Sequence, residues 1–173
     1  MKRLAGEKME KGVRFTRERI DSIKENKDRI EGKAKVEIDI RGLDVKIKGE
    51  AVNVHKTVKI LDAIHDGFEI KNSFKLLNEK NQLKVVRLKD FASSGRSVEK
   101  MKGRIIGRGG RTKELIEELS NVSVSVHEDR VSFIGKPEEV SIAKKAVGML
   151  INGKPHGRVY RYLEQNQPNE RMI

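Results

Sequence analysis

The sequence has no cysteine and no long hydrophobic run. Without cysteine, the chain forms neither a disulfide bond nor a thiolate zinc site. No apolar stretch approaches the roughly 18 residues that a membrane-spanning helix needs. Residues 1–7 are charged and lack the apolar core of a signal peptide. We therefore expect a cytoplasmic protein that does not interact with a membrane.

Patterns for catalysis and metal binding are also missing from the sequence. The four histidines, His55, His65, His127 and His156, have no ligand partner at i+3 or i+4 and no carboxylate cluster around them. No serine stands in a Gly-x-Ser-x-Gly setting, so nucleophilic catalysis has no recognisable residue. The sequence predicts no metal, no cofactor and no enzymatic activity.

The charge of the chain is strongly positive. It has 38 Lys and Arg residues against 26 Asp and Glu, a formal net charge of +12. Such an excess favours a polyanionic partner, although a solvated charged surface accounts for part of it.

A glycine turn with cations on both sides is the most informative stretch. The turn Gly107–Gly110 follows two isoleucines and precedes an amphipathic segment, 113–119, that predicts a helix. Glycine adopts positive φ and has no Cβ, so such a turn brings backbone N–H groups close to another backbone. A helix start adds N–H groups and the positive end of its dipole. The pattern predicts a phosphate-backbone site, and its alternative is a tight helix–helix turn with no ligand.

An internal repeat divides the chain into two copies with an offset of 86 residues, which sets Gly49 against Gly135 without a gap. Each copy predicts the order strand, helix, loop, helix, strand, strand, helix, with first strands at 12–15 and 83–88. We therefore predict two domains, 1–79 and 80–173. The coincident apolar pairs include Val36 with Val122, Ile38 with Val124, Ile40 with Val126 and Phe74 with Tyr160.

The two copies differ at the glycine turn. In the ungapped register, Asp21-Ser22-Ile23-Lys24 stands opposite Gly107–Gly110, so both outer glycines are absent and an acid replaces the first. The window 96–113 has seven cations and one acid, whereas the window 10–27 has six cations and four acids. We predict that the first copy is degenerate and is retained for shape or for binding a partner.

The segment Ile105-Ile106-Gly107-Arg108-Gly109-Gly110, with its following helix, resembles the core of a KH RNA-binding domain. In KH domains this loop clamps about four nucleotides of backbone. The predicted element order matches a type I KH domain. The implied fold class is α+β: two tandem type I KH domains, each a three-stranded antiparallel sheet covered by three helices.

The mode of RNA binding is indicated by the scarcity of aromatic residues, five Phe and two Tyr. The predicted strands carry Val, Ile and Ser, so a sheet that stacks bases on exposed rings is not expected. A groove with an aliphatic floor fits better. The candidates for that floor are Ile106, Leu115 and either Val124 or Val126, some of which belong to the core if the groove is shallower.

Two longer segments, 102–112 and 153–164, resemble the archaeal and eukaryotic ribosome-assembly KH family known as partner of the Nob endonuclease, and the related Krr-type factors. The extension Pro155-His156-Gly157 is the most specific part of that resemblance. The resemblance implies a non-enzymatic factor that binds the single-stranded 3′-end region of small-subunit (16S) rRNA during pre-rRNA processing. It also implies a Nob-type endonuclease and an rRNA dimethylase as partners, and the compact chain suggests an archaeal source. We expect a monomer.

By this resemblance, the second domain binds the RNA. Arg108 and the loop N–H groups are expected to hold phosphates, while neighbouring cations supply salt-dependent attraction. For His156, an RNA contact and a hydrogen bond within its own loop are equally compatible with the sequence. The expected RNA-binding residues are Lys102, Arg104, Ile105, Ile106, Gly107, Arg108, Gly109, Gly110, Arg111, Thr112, Lys113, Val124, Lys154, His156 and Arg158.

Two alternatives remain at the level of sequence. The protein is a protein-interaction scaffold that uses its degenerate copy, or it is a general KH module of RNA processing, RNA decay or translation. Weak salt dependence of RNA binding and no effect of mutations in the loop favour the scaffold.

Overall fold

The structure is a computed structural model that describes residues 6–168, apart from the side chain of Arg96. The chain forms two compact units that divide between Leu77 and Asn78. Each unit has one three-stranded antiparallel sheet. No helix of the described residues is long and apolar enough to cross a membrane.

The first unit begins with a strand and a pair of helices, and its sheet has the order β1-β3-β2. A short helix, α4, continues as a 3-10 turn over Phe74–Leu77. The elements are β1 (Lys8–Arg14), α1 (Arg17–Glu25), α2 (Lys27–Ala34), β2 (Val36–Arg41), β3 (Asp44–Glu50), α3 (Ala51–His65) and α4 (Ile70–Ser73).

The second unit repeats this plan with the sheet order β4-β6-β5. Two 3-10 turns, Leu88–Phe91 and Arg108–Gly110, precede α5 and α6 respectively. The elements are β4 (Gln82–Arg87), α5 (Gly95–Ile106), α6 (Arg111–Ser120), β5 (Ser123–His127), β6 (Arg130–Gly135), α7 (Pro137–Ile151) and α8 (His156–Gln165).

The core of the second unit lies between its sheet and its helices. Phe133 on the central strand is fully buried, as are Ile105 on α5, Ile116 on α6 and Val147 on α7. The apolar stripes at spacings of three and four therefore face the sheet, as an amphipathic helix requires. The predicted α+β class with two three-stranded antiparallel sheets is confirmed. The first strand of the first unit begins at Lys8, four residues earlier than predicted, because its exposed charged residues conceal the strand pattern.

The offset of 86 residues holds only in the later part of each unit. α3 and α7 are both 15 residues long and start at Ala51 and Pro137. Gly49 and Gly135 lie against Val36 and Val122, where an added Cβ would come within 3.2 Å and 2.9 Å of the valine Cγ1 atoms. The first strands, however, begin at Lys8 and Gln82, 74 residues apart. The ungapped register predicted for the whole repeat is therefore wrong before the second helix.

This shift also corrects the placement of residues 21–24. These residues lie within α1, and the turn between α1 and α2 follows at Asn26. The Asn26 side chain closes the turn, since its Nδ2 donates to the Ser22 carbonyl at 2.9 Å and its Oδ1 accepts from Arg29 at 3.3 Å. The windows 10–27 and 96–113 are thus not equivalent, because the first includes part of β1 and the second begins within α5. The first unit lacks the whole loop, rather than only its glycines.

Candidate nucleic-acid interface

The glycine loop joins two helices through three residues with positive φ. α5 ends at Ile106, and Gly107 has φ 74° and ψ 176°. Gly109 and Gly110 have φ 60° and 81°, and α6 begins at Arg111. A non-glycine residue at Gly107 is disfavoured on two grounds, since this region of φ and ψ suits glycine and an added Cβ would lie 2.9 Å from the Thr112 nitrogen. The loop therefore passes directly over the first turn of α6.

The other two glycines face open space, because an added Cβ at Gly109 or Gly110 would have no described atom within 4 Å. The backbone beside them is consequently approachable from outside. The first N–H groups of an α-helix have no acceptor within the helix, and they carry the positive end of its dipole. An approaching phosphate would meet these groups at the start of α6.

A cleft of about 540 Å³ opens beside the loop, between α5, α6 and α8. Four cations contribute to its wall, from the last turns of α5, the loop and the first turn of α6. Its lining residues are Lys100, Gly103, Arg104, Gly107, Arg108, Arg111, Thr112, His156 and Tyr160. The structure thus brings four of the predicted basic and glycine residues together on one concave surface: Gly107, Arg104, Arg108 and Arg111. The other six do not line it: Lys102, Gly109, Gly110, Lys113, Lys154 and Arg158.

The predicted cations differ in whether they form ion pairs with carboxylates of the protein. Arg108 is exposed at the tip of the loop and has no ion pair among the described residues. Three other cations lie near carboxylates: Lys102 is 3.6 Å from Glu99, Arg111 is 3.6 Å from Glu114, and Lys113 is 3.3 Å from Glu117. These pairs are at least partly exposed, so their contribution to stability is small and a phosphate can compete for the cations.

Arg104 points inward and caps the end of α7. Its Nε donates to the Leu150 carbonyl at 3.1 Å, and its Nη2 donates to the Lys154 carbonyl at 2.5 Å. A cation is well suited to this position, because the last carbonyls of a helix carry the negative end of its dipole. Two guanidinium nitrogens of Arg104 are therefore engaged within the domain. Its expected part in RNA binding, which is salt-dependent attraction, stays a prediction.

Two hydrogen bonds join the extension that forms α8 to the helices on either side of the loop, α5 and α6. The His156 Nε2 lies 2.9 Å from the carbonyl oxygen of Arg104, and the Thr112 hydroxyl lies 2.8 Å from that of Tyr160. Thr112 is nearly fully buried, and Leu163 anchors α8 in the core. The observed hydrogen bond joins His156 to α5 rather than to its own loop, and His156 also lines the cleft. An RNA contact by His156 stays a prediction. Lys154 and Arg158, also predicted, are exposed at the start of this extension.

The predicted apolar residues separate into two groups. Ile105 is fully buried and Val124 is 3% exposed, and both belong to the core of the second unit. They support the loop and the sheet but have no surface to offer to a base. Ile106 and Leu115 are half-buried, so they remain candidates for an apolar floor. Val126 is also half-buried, and it packs against the core.

A glutamate on the second helix of each unit holds the neighbouring edge strand. Glu117 Oε1 accepts from the Val124 N–H at 2.8 Å, and Glu31 Oε1 accepts from the Ile38 N–H at 2.7 Å. In both units a lysine one turn earlier lies near the same carboxylate, Lys113 at 3.3 Å and Lys27 at 3.7 Å. Lys113 thus has a structural counterpart in the unit that lacks the loop.

Sequence reasoning missed Tyr160 and Lys100 as residues of the cleft. The repeat contains a signal for Tyr160, since the offset of 86 sets it against Phe74, which has no hydroxyl. The hydroxyl is therefore present in the copy that has the loop and absent from the copy that lacks it. Lys100 lies within α5, one of several cations in that stretch, and nothing in the sequence distinguishes it.

Comparison with known proteins identifies the type of domain and the family of the chain. A family model described as a eukaryotic type KH domain (KH domain type I), the second KH domain of Pno1, matches residues 82–168. A KH domain-containing protein of Methanocaldococcus jannaschii is 38% identical over 138 residues, which are 77% of this chain and 60% of the relative. The pre-rRNA-processing protein pno1 of Schizosaccharomyces pombe is 31% identical over 112 residues, 64% of this chain and 46% of the relative. The chain thus spans about half the length of these curated relatives.

Two solved structures from Pyrococcus horikoshii OT3 are similar over most of the chain. The crystal structure of Dim2p is 38% identical, with a TM-score of 0.83, and the match covers 91% of this chain and 99% of that one. The complex of a/eIF2alpha, aDim2p and rRNA gives the same identity and TM-score, and the match covers 91% and 93% of the two chains. The type I topology predicted for the second copy and the predicted family are confirmed: the chain belongs to the Pno1/Dim2 family of KH-domain ribosome-assembly proteins.

Proposed function

We propose that the protein is a non-enzymatic RNA-binding factor of ribosome assembly. In this role it binds the single-stranded 3′-end region of small-subunit (16S) rRNA during pre-rRNA processing, through its second KH domain. The observation that carries the proposal is the loop Gly107–Gly110, with open backbone on one side and the start of α6 on the other. The relatives support it, since one is a pre-rRNA-processing protein and another has been crystallised with rRNA.

The loop binds RNA by holding a short stretch of its phosphate backbone against the N–H groups of the protein. Arg108 contacts a phosphate at the tip, and Arg111, Lys113 and Lys102 exchange their nearby carboxylates for RNA phosphates. Phosphate contacts position the strand, whereas base contacts give sequence preference. The half-buried Ile106 and Leu115 supply an apolar surface for the bases. In a KH domain such a clamp covers about four nucleotides.

The first domain, proposed as residues 1–79, has a different role from the second, proposed as 80–173. Its helices α1 and α2 meet at Asn26 without a loop, so it has no equivalent backbone clamp. We propose that it contributes shape or binds a protein partner. Candidate partners by family are a Nob-type endonuclease and an rRNA dimethylase. The protein acts in the cytoplasm as a monomer.

The proposal is tested by titrating the protein against a fluorescent RNA with the sequence of the small-subunit rRNA 3′ end, and against a scrambled RNA, at several salt concentrations. We expect log K to fall linearly with log salt, with a slope of about −2 to −3 for a clamp on about four nucleotides. We expect the scrambled RNA to bind more weakly. Equal binding of both RNAs favours the general KH module, and no binding of either favours the protein scaffold.

Removing the Tyr160 hydroxyl tests whether α8 positions the loop. In Tyr160→Phe, the hydrogen bond to Thr112 is lost while the ring remains, as in Phe74 of the first unit. We expect RNA affinity to fall about threefold to tenfold, which is the effect of one neutral hydrogen bond. The salt slope should not change, because no phosphate contact is removed. Fluorescence anisotropy measures both quantities.

Tyr162→Phe is the matched control. Tyr162 lies on α8 like Tyr160, but outside the cleft. Its ring is 5.0 Å from the Lys145 ammonium, and burial raises the pKa of its phenol above the ordinary value. The Tyr162 phenol is therefore neutral at pH 7, and its removal changes no charge. An equal loss of affinity in the two variants would contradict a specific role for Tyr160.

A further inference from the structure

A second groove of the second unit combines exposed apolar side chains with cations. Among the described residues, three large hydrophobic side chains are exposed: Val52, Val85 and Phe91. Two of them, Val85 and Phe91, line one groove of about 410 Å³. The remaining lining residues of this Phe91 groove are Val86, Arg87, Asp90, Arg130 and Lys144.

Phe91 is held at this position by its own turn. Leu88, three residues earlier, is fully buried, and its N–H donates to the Asp129 carbonyl at 2.7 Å. The Ala92 N–H donates to the Lys89 carbonyl at 3.3 Å and closes the turn. Leu88 anchors the segment in the core, so packing of the domain does not require the ring of Phe91, which is 58% exposed. Its backbone is held by the turn and a phenyl ring rotates about only two side-chain bonds, so stacking of a flat ligand on Phe91 costs little conformational entropy.

The charges of the groove favour an anionic ligand. Arg87, Arg130 and Lys144 outnumber Asp90 among its lining residues. Arg130 lies 3.9 Å from Glu128, whereas Arg87 and Lys144 have no ion pair among the residues that the structure describes. A ligand of this groove should therefore bring an apolar face together with negative charge.

We propose that the Phe91 groove is a second contact site for single-stranded RNA, where a base stacks on Phe91 and its phosphates meet Arg87 and Lys144. A nucleotide supplies a flat apolar face and a negative charge in one unit, and an aromatic ring among cations is the usual platform for it. An acidic peptide added to the free edge of β4 is the competing occupant, since that edge is unpaired in the sheet order β4-β6-β5. RNA is favoured because the same domain presents the glycine loop to a polyanion.

One RNA strand can reach both sites only if it is longer than the stretch that the loop clamps. α5 has 12 residues and lies between the Phe91 turn and the glycine loop, and such a helix is about 18 Å long. The groove should therefore contribute to the binding of a long RNA and not to that of a short one. This inference rests on the proposed RNA-binding function and extends its footprint.

The chain contains no tryptophan, so Phe91→Trp introduces a single indole fluorophore at the proposed stacking site. We compare a short RNA of about five nucleotides with a long RNA of about 16 nucleotides, which resembles the larger site sizes of single-strand-binding proteins. We expect the long RNA to quench the emission of the introduced indole and the short RNA to leave it unchanged. Absence of quenching by the long RNA, under conditions where it binds, would overturn the proposal.

Phe91→Ala measures the contribution of the ring to affinity. We expect about fivefold or greater weakening for the long RNA, the effect of losing one stacked base, and no change for the short RNA. Val52→Ala, at the exposed hydrophobic residue of the first unit, is the control and should bind both RNAs as the unmodified protein does. Circular dichroism verifies that each variant is folded.

The outcomes separate this proposal from the proposed function. If the unmodified protein binds neither RNA, the function itself fails and the RNA site fails with it. If glycine-loop variants lose RNA binding while Phe91→Ala binds the long RNA normally, the function stands and the second site is overturned. In that case the groove is left to a protein partner such as an acidic strand.

Discussion

The double substitution Arg108→Asp/Gly109→Asp is expected to weaken RNA binding by about a hundredfold or more and to make its salt slope shallower. Arg108 is the exposed cation at the loop tip, and Gly109 lies beside open space. Two carboxylates there replace an attraction for phosphate by repulsion, and fewer counterions are released on binding. Aspartate tolerates the left-handed backbone of Gly109 better than most residues, so the fold should be retained. Anisotropy titrations at several salt concentrations measure the effect, with circular dichroism to check folding.

The first unit provides a matched control, because it contains the same dipeptide in another turn. Arg41 is exposed, and Gly42 has φ 62° with no described atom within 4 Å of an added Cβ. Arg41→Asp/Gly42→Asp makes the same change in net charge, and we expect a much smaller loss of affinity. Equal losses in the two double variants would show that net charge, rather than the loop, controls RNA binding. Normal binding by a folded loop variant would mean that the RNA site lies elsewhere.

Gly107→Ala is expected to lower the free energy of unfolding by about 2–4 kcal/mol, which combines backbone strain with a steric clash. The backbone of Gly107, at φ 74° and ψ 176°, is strained for alanine, and the methyl group would contact Thr112, whose side chain is buried and bonded to Tyr160. Relief of the clash would move the first turn of α6 away from the loop. Urea denaturation followed by circular dichroism gives the change in stability.

Gly110→Ala measures the cost of backbone strain alone, without the steric clash that Gly107→Ala adds. Gly110 has φ 81° and ψ 5°, but its Cβ position is open. We expect a smaller loss, about 1–2 kcal/mol, which is the cost of a left-handed backbone for a residue with a Cβ. If both alanine variants lose the same stability, the close approach of Gly107 to Thr112 is not what restricts this position to glycine.

Much of the fold was accessible from the sequence because alternation and helical spacing are physical requirements of the core. Val122 and Val124 are two residues apart, Val131 lies on the neighbouring strand, and all three are buried. The spacing Val140, Ala143, Val147 follows the buried side of α7. The start of the first strand of the first unit was predicted four residues too late for a related reason. Its first strand carries charged residues on the exposed face and only half-buried Met9 and Val13 among them, so an apolar pattern was not visible there.

The loop itself was predicted from its glycines, but the direction of each neighbouring side chain was not. The sequence does not distinguish a cation that meets solvent, as Arg108 does, from one that donates to backbone carbonyls of its own domain, as Arg104 does. The distinction depends on the end of α7, 46 residues further along the chain. For the same reason Ile105 and Ile106 could not be told apart, although only the first is fully buried.

The shift in the repeat register has an evolutionary consequence. The two copies keep the same spacing from the end of their second helix onward, whereas their first strands start 74 rather than 86 residues apart. The difference in length between the two copies is therefore confined to one cassette, from the first strand to the second helix. Recombination that exchanges this cassette leaves every strand pairing of the recipient sheet in register. If the loop binds RNA as proposed, one copy can gain or lose that capacity while the framework of the domain is unchanged.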